Sequence, residues 1–214
     1  MKSTQTILIA VISGCFLSLN AAAHSLWLES DTVTSKLYFG EYDENLRETS
    51  PGRLDSIIAP IATVIDATGT ERSVNASRSG NHFDIPGGTA VLVQALKQPV
   101  REPQAESSTP AQKRFYYARL GKGDSLPLDI QQPSANLLRL SFMGTPLAKT
   151  EIVLTAPSGW QKHLRTDENG EAGFSLPEPG LYVAEARHTL NNPGVFEGKA
   201  YAIEIHIVTL SLYQ

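Results

Sequence analysis

Five imidazoles, at His24, His82, His163, His188 and His206, carry most of the chemistry available to this chain. Its one cysteine, Cys15, lies inside an apolar leader. In that leader Lys2 is the charged start, Ile7 to Leu19 the apolar core, and Ala21, Ala22 and Ala23 the small residues a signal peptidase requires. Cleavage after Ala23 makes His24 the first residue of the mature chain. An amino-terminal histidine offers its α-amine and ring Nδ1 to one metal ion. An internal histidine cannot close that chelate, because its backbone nitrogen is an amide. With no thiol left after cleavage, the donors are imidazole, amine, carboxylate and carbonyl, which suit Ni, Co, Cu(II), Zn or Fe better than Cu(I).

A two-nitrogen chelate needs a further ligand, and His188 and His206 are the candidates. In the last strand, alternation puts Tyr201, Ile203, Ile205 and Ile207 on the core face. Glu204 and His206 then point away from the core, toward a groove between domains or toward solvent. His188 closes the strand that begins at Leu181 and is expected at the rim. The two histidines serve one site only if they share a sheet face, which depends on a register the sequence leaves open. The metal set expected is therefore His24 with His188 or His206.

The remaining polar clusters read more plainly. His82 and Asp84, two apart in a strand, read as a surface ion pair. His163 stands beside Lys162 and Arg165 in a basic patch that repels cations, and is set aside. Glu41, Asp43, Glu44 and Glu48 form an acidic run near the mature amino terminus, read as a solvated surface. The Asp167 to Gly170 stretch is a turn without the ligand alternation of a calcium loop. No nucleophile with its base and orienting group emerges, so binding without turnover is expected.

The elements that hold these residues are strands. Apolar stretches are short and alternating, with Gly, Pro, Asn and Asp between them, which predicts an all-β protein. An amino-terminal β-sandwich is expected over residues 24–131 and a second over 133–214, with a polar linker at Asp129 to Ala135. Arg101 to Lys113 is expected as an exposed loop. The formal charge of −4 over 214 residues gives no basic face for nucleic acid. After the leader no apolar run reaches the ~20 residues needed to span a bilayer. A soluble periplasmic protein is the expected product. The alternative is a lipoprotein anchored at Cys15, because Ile12 to Cys15 also fits a lipid-attachment box.

Two stretches carry a resemblance. Residues 166–186, TDENGEAGFSLPEPGLYVAEA, resemble the core of transthyretin-like, carboxypeptidase-regulatory and collagen-binding B-type modules, in which a Phe and a Tyr fill an immunoglobulin-like sandwich. The start AHSLWLE (residues 23–29), with Tyr38 to Glu41 after it, is similar to a family of periplasmic nickel or cobalt uptake components. That resemblance implies a mature chain that presents metal from His24. The expected function is then binding of a transition-metal ion or small metal complex for uptake, with a membrane transporter or outer-membrane receptor as recipient. Two other classes stay open: a copper oxidase or monooxygenase built on a histidine brace, and a non-metal scaffolding or adhesive sandwich.

Overall fold

A computed structural model describes residues 24–31, 34–88, 90–103 and 109–214. The apolar leader, with Cys15 and the expected cleavage point after Ala23, lies outside the described residues. The chain opens with β1 (Ser25–Ser30), β2 (Thr34–Glu41) and the short β3 (Leu46–Arg47). A single 3-10 turn at Arg53–Ser56 leads to β4 (Ile61–Ile65), β5 (Glu71–Asn75), β6 (Ser77–Ser79) and β7 (His82–Pro86). Next come β8 (Ala90–Ala95), β9 (Gln112–Leu120), β10 (Leu128–Ser134), β11 (Leu137–Phe142) and β12 (Thr145–Pro146). β13 (Glu151–Thr155), β14 (Gln161–Arg165), β15 (Glu171–Gly173) and β16 (Leu181–Leu190) follow. β17 (Gly194–Phe196), β18 (Lys199–Tyr201) and β19 (Ile203–Tyr213) complete the chain. Among the described residues there is no α-helix, and none long and apolar enough to cross a membrane.

The architecture is all-β and sandwich-like, as the alternating pattern predicts. Its middle layer is an eight-stranded sheet in the order β14-β13-β16-β19-β9-β8-β4-β5, antiparallel except where β19 runs parallel to β9. One face is covered by β1-β2-β7-β6, the other by β10-β11-β12 with β15. Period-two alternation feeds both faces. Val91, Val93, Ile205 and Ile207 join a core with Leu26, Leu37 and Phe83, whereas Leu92, Tyr117, Val208 and Leu210 join a core with Leu128, Leu138 and Leu140. The two sandwiches therefore share a sheet, and the boundary expected at 131/133 falls inside β10.

Two polar stretches turn out to be structural. The expected linker at Asp129 to Ala135 is mostly strand β10, polar because Asp129 (0 % exposed) forms a buried ion pair with Arg119 of β9. The expected loop ending at Lys113 instead begins β9 at Gln112, and Lys113 is 1 % exposed. Its ammonium donates to the carbonyls of Leu96 (2.7 Å) and Gln98 and lies 3.8 Å from the centre of the Phe196 ring.

Burial pulls the Lys113 ammonium down from 10.5 to about 8. The unfolded chain holds that proton up to its ordinary value, so between these limits it binds more protons than the folded chain. Stability must rise with pH across that window. Tyrosines whose hydroxyls are raised in the fold, Tyr42 and Tyr117 among them, oppose this only once unfolded phenols ionise near ~10. Urea unfolding between pH 8 and about 9.5 is expected to show the gain, and Lys113→Met to lack it. A wild-type profile as flat as the variant's excludes this assignment.

Candidate functional site

His24 sits immediately before β1, and two anchors fix that strand on the central sheet. The Thr209 hydroxyl donates to the Leu26 carbonyl (2.5 Å), and the Leu28 amide donates to the Ser211 hydroxyl (3.2 Å). Pairing of Ser25 with Gly40 then carries His24 to the end of β2. There Nδ1 lies 3.0 Å from Glu41 Oε1, and Nε2 contacts Glu48 Oε1. Arg53 Nη1 stands 3.1 Å from Nε2, and the Phe39 ring packs 5.3 Å from the imidazole. Both ring nitrogens thus face carboxylates, although a neutral imidazole donates through only one.

Gly40 makes this convergence possible. Its φ is +155°, and an added Cβ would lie 2.1 Å from the Leu46 carbonyl oxygen, because β3 folds tightly back on β2. Gly40→Ala is expected to cost about 2–3 kcal/mol in urea unfolding and to spread Glu41 from Glu48. A variant as stable as wild type would show that the turn yields freely.

Beside His24, the same face of the sheet is left open over β13, β14 and β16, forming a groove of about 570 Å³. Ser25 and the segment Glu41 to Glu44 make one wall; Glu151, His163 and Glu185 stand on the floor. Five carboxylates, those of Glu41, Asp43, Glu44, Glu151 and Glu185, face His163 and Arg187. Burial pushes the Glu185 carboxyl above the usual range; the Ser25 hydroxyl and Arg187 act against this, while Asp43 and Glu41 reinforce it. His163, set aside for its basic sequence neighbours, belongs to this acidic groove: its Nδ1 lies 3.1 Å from Glu151 Oε2 on the adjacent strand. Lys162 and Arg165 mislead because charge is set across strands as well as along them.

His188 and His206 lie elsewhere. The register of β16 on β19 pairs them directly, which answers the question left by alternation and puts both on one face. The expectation that His206 and Glu204 point away from the core is corrected by the layer formed by β10 and β11. That layer buries this face as well, leaving His206 4 % exposed. Its Nδ1 is 3.0 Å from the Tyr117 hydroxyl, and its ring stacks on Phe115 at 4.7 Å and meets Phe142 edge-on at 4.9 Å. Burial holds both imidazoles below the ordinary histidine value; Glu204, near His206, works against that.

His24 packs with Phe39 in the core that contains Ile205 and Ile207, on the opposite face of β19 from His206. The expected ligand set is corrected accordingly: the sheet separates His24 from the His188–His206 pair, and Glu41 and Glu48 are the groups at hand. Among the described residues, no three His, Cys, Asp or Glu side chains are arranged as a preformed metal site. His82 Nε2 lies 3.1 Å from Asp84 Oδ1. Trp27 is fully buried against Tyr38 and Tyr42.

No family model matches the chain, and no curated protein matches it. Among solved structures it is similar to a two-domain fibronectin type-III segment of chicken tenascin, at 11 % identity and a TM-score of 0.23 over 89 % of this chain and 99 % of that one. It is also similar to a tetra-tandem repeat from the extending region of a large adhesion protein, at 13 % identity and a TM-score of 0.22. That match covers 90 % of this chain and 49 % of the other.

Proposed function

We propose that the mature chain binds a divalent transition-metal ion at His24 and passes it on without turnover. The observation that carries this reading is the imidazole of His24 placed between two carboxylates at the rim of an acidic groove. Glu48 on Nε2 orients the ring, as the outer carboxylate of a carboxylate–histidine–metal arrangement does. Nδ1 is then the ligating nitrogen, on the side of the ring where the α-amine of a processed His24 closes the chelate. Glu41, 3.0 Å from Nδ1, is the third ligand. The groove carboxylates attract the cation before it is bound, and this attraction weakens with salt.

An ion held by amine, imidazole and carboxylate keeps open positions, so a recipient can take hold before the donor lets go. Ni, Co, Cu(II), Zn and Fe all accept such donors. An exported protein with this site serves an uptake system, through a membrane transporter or an outer-membrane receptor. Calorimetric titration of protein processed to His24 tests the proposal; no heat of binding with any of these metals would refute it.

A further inference from the structure

The geometry points to a second transition-metal site, made by His206, Glu204 and His188 on the enclosed face of the eight-stranded sheet, independent of His24. Nε2 of His206 is buried and makes no hydrogen bond among the described residues. A polar atom hidden from water with no hydrogen bond and only the Glu204 carboxylate at 3.5 Å is costly, and the ring is fixed so that it cannot turn away. Tyr117 holds Nδ1, with Phe115 against one face of the ring and Phe142 at its side. When the Tyr117 hydroxyl accepts the Nδ1 proton, Nε2 carries the lone pair, which is the tautomer a metal requires.

The spacing to Glu204 is also that of a ligand pair. Its Oε2 lies 3.5 Å from His206 Nε2, long for a charge-assisted hydrogen bond. Two atoms each about 2.1 Å from one tetrahedral ion stand about 3.4 Å apart. The Tyr201 hydroxyl donates to the other oxygen, Oε1, at 3.1 Å and orients the carboxylate. Lys113, the neighbour of Glu204 on β9, turns its ammonium to the Leu96 and Gln98 carbonyls and leaves Glu204 available.

His188 supplies the third donor. It faces His206 directly across the strand pair, half-exposed, with its ring 4.8 Å from Phe142. The proposed site requires this imidazole to turn from Phe142 toward His206 Nε2, so it completes only on binding. Two imidazoles and one carboxylate suit Zn, Co, Ni or Cu(II) and leave a fourth position to water.

Cobalt(II) is the probe, because a four-coordinate nitrogen and oxygen site gives it intense visible ligand-field absorption. The processed His24→Ala protein is expected to bind one equivalent with that absorption, and zinc to raise its Tm. His188→Gln and Glu204→Gln, each placed on the His24→Ala background, are expected to bind at least tenfold more weakly and to lose the band with an unchanged circular dichroism spectrum. No cobalt bound by His24→Ala, or a band that survives both further substitutions, overturns the proposal. Should wild type and His24→Ala bind the same single equivalent, the amino-terminal reading fails while the enclosed site stands.

Discussion

Protein processed to begin at His24 is expected to bind nickel or cobalt at least a hundredfold more tightly than either His24→Ala or a version with one alanine added before His24. The two variants isolate different donors. His24→Ala removes the imidazole, whereas the added residue keeps the imidazole and turns the α-amine into an amide. Glu41→Gln removes the carboxylate 3.0 Å from Nδ1, the proposed third ligand, and is expected to weaken binding. Glu48→Gln leaves the ligands in place and frees the far side of the ring, for which a loss of about 10–100-fold is expected. Metal has to displace the proton of the α-amine, so affinity falls as pH falls, with proton release measurable in weakly buffered solution. Equal affinity in wild type, His24→Ala and the extended form would place binding away from the amino terminus.

Most of the fold was legible because its signals are local. The turn at Asp167 appears as read: its Oδ1 accepts from the amides of Asn169 (2.9 Å) and Glu171 (2.8 Å), and Gly170 takes a φ of +72°. Phe174 and Tyr182, picked out by the resemblance to transthyretin-like modules, are core residues. What stayed illegible depends on which strands meet. Alternation along β19 separates Ile205 and Ile207 from His206, but cannot say that a second layer covers the other face. Both faces of a sheet interior to a three-layer stack are buried. The same ignorance of partners made β10 look like a linker, since the partner of Asp129 lies on another strand, ten residues back in sequence.

The site follows the same division. His24 was readable from its place in the chain, and Glu41 and Glu48 as part of an acidic run. Their convergence is a product of the Ser25–Gly40 pairing and of the fold of β3 onto β2. His163 was misread because its partner Glu151 stands across the strand pair. The pairing of His188 with His206 is a register fact, and one residue of slip would have sent them to opposite faces.

Asp129→Ala is expected to be the most damaging single substitution away from the proposed metal sites, with a loss of about 3–5 kcal/mol in urea unfolding. Arg119 grips the carboxylate with Nε at 2.7 Å and Nη2 at 2.8 Å, a two-pronged contact that fixes orientation as well as charge. The Leu126 amide (3.3 Å) and the Gln131 amide nitrogen (2.9 Å) donate to the same carboxylate, and Arg119 also donates to the Asp124 carbonyl (2.6 Å). Removing Asp129 strands a guanidinium in the core, which is a far larger penalty than the net worth of the pair. Replacing both partners separates the two effects. Arg119→Met with Asp129→Leu leaves no buried charge, and such replacements range from neutral to stabilising by about 1–4 kcal/mol. The double variant is therefore expected to recover most of the loss, and the double-mutant cycle to show strong coupling. Because the pair ties β9 of the shared sheet to β10 of the covering layer, the single variants are expected to loosen that layer first. Faster amide exchange in β10 and β11 than in β1 and β2 would register it. A stable Asp129→Ala protein, or a double variant no better than the single ones, would mean that apolar packing alone joins these layers.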